Sequence, residues 1–266
     1  MTGEIRPYRL ALISTSRASD AGHLAAFDLA SIADELGIEY RLVGGNAVSV
    51  LTAVHQVTDL VPDRETADAD FGAEPVVIAN PDLLARLVAH GYEQEGGNRF
   101  RRTVETDERE LALVIDVLAP SYHGRLRTNQ QYGELYVDEI PGLALAIARP
   151  ATEVNVEVRL TSGRTIKYHT PLPDVVSALC MKAHSYVGRL AERDAVDIWR
   201  LLEVALAAGV TAQTWPRGAF ATQAARTLHR HFGVGGAGPA HATQDRAKQT
   251  RIRALVTRVV ARPIDR

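Results

Sequence analysis

The run LALVIDVLAP, residues 111–120, constrains the fold more than any other stretch. It is too short to cross a membrane, which takes about 20 apolar residues. It is also too continuously apolar to leave a face in water, so it reads as a strand buried inside a covered sheet. Asp116 stands in its middle. A carboxylate in a buried strand is costly unless it is paired or holds a cation. The chain is therefore expected to build a sheet with helices against it and charge near its centre.

The flanking sequence supplies both cover and partners. Residues 20–36 place Leu24, Phe27, Leu29, Ile32 and Leu36 at helical spacing, with Asp20 as the expected N-cap and Gly37 as the stop. IEYRLVGG reads as a strand ending in Gly44 and Gly45, and NAVSVLTAVHQV as a helix capped by Asn46. ETADADF is the next strand, and PDLLARLVAHGYEQ is a helix opened by Pro81 and closed near Gly91. RFRRTVE is the expected partner of the apolar run. Residues 134–168 have β character, with a clean alternation in EVNVEVRL and a turn at TSGRT. After Pro173 the pattern becomes helical: DVVSALCMKAHSYVGRL, ERDAVDIWRLLEVALAAG, residues 211–232, a glycine-rich link GVGGAGPAHA, and a last basic amphipathic helix. The expected fold class is α/β (α+β), with a mixed-sheet domain over residues 1–170 and an all-α domain over 171–266. A ligand cleft is expected where the helices close over the sheet.

Composition narrows the setting. One cysteine, Cys180, in 266 residues excludes a disulfide scaffold and suits a reducing cytoplasm. The N-terminal segment has only a short apolar run and no small-residue cleavage pattern, so it reads as part of the fold. The formal net charge of −2 hides an asymmetry. From Arg217 to Arg266 ten basic residues face only Asp245 and Asp265, a net +8 that leaves −10 on residues 1–216. A basic tail on an acidic body is a footprint for a polyanion, or else a face that docks on the acidic body. The nine histidines show no zinc-ligand spacing. GVGGAG follows a helix rather than a strand and so lacks the context of a dinucleotide loop.

The stretch RETADADFG carries the chemistry. Alternation along a strand puts Asp68 and Asp70 on one face, their Cα atoms about 6–7 Å apart. Two like charges there call for a cation, a shared proton or open water. Asp116 is a third carboxylate, and Gly44, Gly45 and Asn46 form a strand-to-helix junction at which a phosphate can approach backbone N–H groups. Lys182 lies on a helix expected to cover the cleft. Together these make a phosphoryl-transfer set. Asp68, Asp70 and Asp116 would hold Mg²⁺, with two ions clamping an in-line displacement, while Lys182 and the helix N-terminus neutralise a triphosphate.

VGGNAVSVL, then RETADADF, then LVIDVL resembles the nucleotidyltransferase superfamily. MKAHSYVGRLAERDAVDIWRLL, with its order of Lys, Arg and Arg-Asp-X-X-Asp, resembles the AbiEii/AbiGii toxin family, which includes the MenT toxins. The resemblance spans about residues 38–204. It implies a minimal nucleotidyltransferase fold and Mg²⁺-dependent transfer of a nucleotide from an NTP. It also implies an RNA acceptor, the tRNA 3′ end, and a cognate antitoxin as partner. By position, Asp68 and Asp70 match the metal pair, Lys182 the family's lysine, Asp194 or Asp197 its later acidic position, and Arg189 and Arg193 the basic positions between. Gly45 stands where many superfamily members have serine. Other classes fit parts of the pattern: a nucleotidyltransferase acting on a small molecule or a protein hydroxyl, a non-catalytic nucleotide-binding or antitoxin-binding module, or a nucleotide-sugar transferase that uses Asp-X-Asp. The glycine junction and the helical Lys/Asp motif argue against the last.

Overall fold

The computed structural model describes residues 6–106 and 110–263. Asp265 and Arg266 of the basic tail lie outside the described residues. β1 (Tyr8–Ile13) leads into α1 (Arg17–Leu36), then β2 (Arg41–Val43), α2 (Gly44–Val54) and β3 (Asp68–Gly72). Next come α3 (Pro75–Ile78), α4 (Pro81–Ala89), β4 (Glu93–Gly96), β5 (Arg99–Val104) and β6 (Leu111–Ser121). β7 (Arg127–Tyr132), β8 (Leu135–Pro141), α5 (Leu143–Ala148), β9 (Thr152–Arg159) and β10 (Thr165–Leu172) complete the strand-bearing part. Five helices follow: α6 (Val175–Arg189), α7 (Glu192–Ala207), α8 (Ala219–Phe232), α9 (Gly238–Ala242) and α10 (Arg246–Val259). The fold class is α+β, with mixed sheets and helices against them.

The apolar run is β6, and it organises the larger sheet. Its N-terminal half lies between β3, parallel, and β5, antiparallel, while its C-terminal end pairs with β8. The path β2-β3-β6-β5-β4 carries the β7–β8 hairpin off β6. A smaller sheet, β1-β9-β10, takes in the N-terminal strand, as its pairing with β9 requires. One apolar cluster runs from α1 through both sheets into α10, so the core is continuous across residue 170, where the element type changes. Among the described residues no helix is long and apolar enough to cross a membrane.

Several local expectations need correction. α1 is capped by Ser16, whose side chain accepts from the Ser19 N–H, whereas Asp20 is buried and accepts from Thr161. Asn46 is not the cap of α2. The helix begins two residues earlier, and the Asn46 amide donates to the Gly22 carbonyl at 2.9 Å, tying α2 to α1. The β stretch at 134–168 is interrupted by α5. LALAIA is apolar at every position, so its pattern cannot tell strand from helix. Helix α8 starts at Ala219 rather than near 211, and the glycine-rich link contains α9 packed on Phe232.

Candidate nucleotide and metal site

The alternation that buries β3 also exposes its acids. Ala69 and Phe71 are fully buried, and Phe71 stacks on Tyr40 with ring centroids 5.5 Å apart. Asp68 and Asp70 are consequently turned to the other face. The parallel register sets Asp70 directly beside Asp116 of β6, so three carboxylates share one face of two adjacent strands. Burial first, then the charges of Asp68 and Asp116, push the Asp70 carboxyl up to about 7, against the pull of Lys182 and Arg189.

Helix α2 opens onto this face. Gly44 has φ of 71°, and a Cβ there would overlap the Oδ2 atom of Asp70. Only glycine meets both demands. At Gly45 the conflict is with Arg64 and Thr66: a side chain would collide with the Arg64 Nη1 atom and with the Thr66 hydroxyl. The space that a serine would need is taken by a guanidinium. Asn46, held on Gly22, does not line the cleft.

α6 and α7 supply the opposite wall. The Lys182 ammonium lies 2.7 Å from Oδ2 of Asp197 and 3.6 Å from Oδ1 of Asp194. Both carboxylates are almost wholly buried, at 0% and 1% exposure, behind the lysine. Asp197 also receives Arg64 at 3.2 Å and Arg200 at 3.6 Å, and Arg200 reaches the hydroxyls of Ser49 and Thr52 on α2. Burial lowers the Arg200 pKa and Asp197 raises it. Arg189 closes on Asp194 at 3.2 Å, and Arg193 is exposed at the rim. The residues from β3, β6, α2, α6 and α7 line one cleft of about 660 Å³, to which Leu126, Asp138 and, from α8, Gln223 and Thr227 also contribute.

Asp68, Asp70, Asp116, Gly44, Gly45, Lys182, Arg189, Arg193 and Asp194 are thus brought together around one cleft, with Asp197 directly behind it. Sequence reading missed Arg99. It faces Asp116 across β5–β6 and grips both its oxygens, Nε to Oδ1 at 2.9 Å and Nη2 to Oδ2 at 2.7 Å. These hydrogen bonds raise the Arg99 pKa further. The arginine was visible in RFRRTVE, but only the strand register identifies its partner. Arg200 meets Asp197 one turn away on its own helix, but it reaches Ser49 and Thr52, and Arg64 reaches Asp197, only once α7 has folded against α2 and the segment before β3.

Among the described residues no three His, Cys, Asp or Glu side chains converge as a ready-made metal nest. Asp116 is paired with Arg99, and the oxygens of Asp68 and Asp70 are the hard donors on this face that a divalent cation would use. The donor type suits Mg²⁺, and the burial and neighbouring carboxylates that raise the Asp70 pKa make the electrostatic demand that a cation would meet.

No protein-family model and no curated protein matches the chain. Among solved structures it is similar to an antigenic nucleotidyltransferase-like protein from Paracoccidioides brasiliensis, at 16% identity and a TM-score of 0.47, over 94% of this chain and 96% of that one.

Proposed function

We propose that this protein is a nucleotidyltransferase that moves NMP from an NTP to a hydroxyl acceptor, with the tRNA 3′ end as that acceptor and toxin action on translation as the consequence. The observation that carries the reading is the meeting of the Asp68–Asp70 face with the glycine-led start of α2 and with Lys182 in a single cleft. In the reaction the acceptor oxygen bonds to the α-phosphorus, the α–β bridging bond breaks, and pyrophosphate leaves. The α2 N-terminus offers backbone N–H groups to the triphosphate. Lys182 places a positive charge where the pyrophosphate accumulates negative charge. Asp197 and Asp194 act as positioning residues: both are almost wholly buried and together they fix the ammonium. Arg189 and Arg193 border the same opening and suit the outer phosphates. Asp68 and Asp70 would hold Mg²⁺, which supplies Lewis-acid neutralisation of the phosphate oxygens when bound. The acceptor proton passes to the carboxylate face.

RNA is favoured over a small-molecule or protein acceptor by the basic tail and by the family resemblance of the Lys/Arg/Asp motif. The test is incubation with each α-labelled NTP, Mg²⁺ and total RNA, followed by a denaturing gel. Label in the tRNA band, lost with Asp68→Asn, is expected. Label on protein or small molecules alone would replace RNA with another acceptor, and no transfer of any kind would sink the enzymatic reading.

A further inference from the structure

The carboxylate face needs compensating positive charge, and part of it comes from within the sheet. Arg99 and Asp116 sit directly opposite one another on the antiparallel pair β5–β6, and Asp116 sits beside Asp70 on the parallel pair β3–β6. Strand order and register together therefore set Arg99, Asp116 and Asp70 in a row. The Arg99–Asp116 contact is two-pronged, the strongest and most directional form of this pair. The Arg99 side chain is 48% exposed at the cleft, and it feels Asp68 and Asp70 as well as its direct partner. A guanidinium cannot shed its charge in a protein, and with Nε and Nη2 spent on Asp116 it still has N–H groups to offer a phosphate.

We infer that Arg99 is a built-in counter-cation that takes the place of a second metal ion: the cleft holds one divalent cation, at Asp68 and Asp70, and Arg99 withholds Asp116 from metal. The inference rests on the nucleotidyl-transfer reading of the cleft. It replaces the two-ion arrangement expected from the three carboxylates in the sequence. Arg99 then supplies to the bound phosphates part of the charge that a second ion would bring, fixed in position by strand register.

The test counts Mn²⁺ bound to the full chain, with Mn²⁺ as the only added ligand, from loss of the free-ion electron paramagnetic resonance signal. One Mn²⁺ per chain is expected for the parent and two for Arg99→Gln, because Asp116 is released. Asp116→Asn should keep one ion at unchanged affinity, and Asp68→Asn should lose it. Near-ultraviolet circular dichroism checks the fold of each variant, and Asp116→Asn decides the matter if Arg99→Gln does not fold. Two ions in the parent, one in folded Arg99→Gln, or loss of the ion in Asp116→Asn would each overturn the role of Arg99 while leaving a metal-dependent cleft. No bound ion in any form would overturn the metal reading itself, and this inference with it.

Discussion

Asp70 carries the largest electrostatic burden in the cleft, and its chemistry sets the sign of a test. Its folded carboxyl keeps its proton up to about pH 7, whereas an ordinary one releases it near 3.8. The folded chain therefore binds more protons across that window than the unfolded chain, so stability falls as pH rises from about 4 to about 7, and the penalty is complete above. Asp70→Asn removes the penalty. In EDTA its Tm should exceed that of the parent by more at pH 8 than at pH 5, while nucleotide transfer in Mg²⁺ is abolished. Normal turnover in the variant would show that Asp70 is not a ligand, and an equal Tm gain at both pH values would show that it is not a strained carboxylate. The Asp68/Asp70 pair could be read from the sequence because period-two alternation is local, and it needs only that the segment be a strand. Arg99 could not be read, because its meaning depends on which residue of β6 stands opposite it, and pairing register is a long-range property.

The junction between β2 and α2 shows the same division at the scale of an element. Two glycines before an apolar helix are visible in the sequence, but the reasons for them come from β3 and from the segment before it. Gly44 is required by its φ of 71° and by the Asp70 carboxylate against it, and Gly45 by Arg64 and Thr66. Gly37, the C-cap of α1, has a similar φ of 61° but open space around it. Gly37→Ala should therefore cost only the left-handed backbone penalty, about 1–2 kcal/mol. Gly44→Ala should cost clearly more and should weaken binding of a fluorescent NTP analogue, which Gly37→Ala should leave unchanged. Equal Tm losses from thermal melts of the two variants would mean that Asp70 yields easily and that α2 is not held against the carboxylates. The elements that sequence reading missed fail for physical reasons of their own. α5 is apolar at every position, so it has no periodicity to read, and α9 is a five-residue helix inside a glycine-rich segment that is ordered by packing on Phe232.

At the scale of the molecule, α7 lies between α2 and α10 and works on both faces. Asp194 lines the cleft and Asp197 stands behind Lys182 on the same side, while Trp199 and Glu203 are turned to the opposite side, as the helical repeat requires. There Lys248 sits 5.7 Å over the Trp199 ring, and the Arg251 Nη2 atom reaches Glu203 at 2.7 Å. Ile252, Leu255, Val256 and Val259 of α10 are buried, as its amphipathic pattern predicts. Part of the basic tail is thus spent on docking, and removal of residues 240–266 would lower the Tm whatever the tail binds. Arg246, Arg258 and Arg262 are exposed and can be tested without touching the core. Because α10 lies behind α7 from the cleft, an RNA that uses these arginines must reach around the helical half, which a folded tRNA can do and a short acceptor-end oligonucleotide cannot. Changing all three arginines to glutamine should leave the Tm unchanged. It should weaken binding of intact tRNA and flatten its salt dependence by up to about 0.9 in log–log slope for each phosphate that is no longer neutralised. Binding of an oligonucleotide that carries only the acceptor end should stay the same. Equal tRNA affinity in parent and variant would assign α10 wholly to docking. A parallel weakening for tRNA and oligonucleotide would mean that the substrate passes over α10 on its way to Asp68 and Asp70.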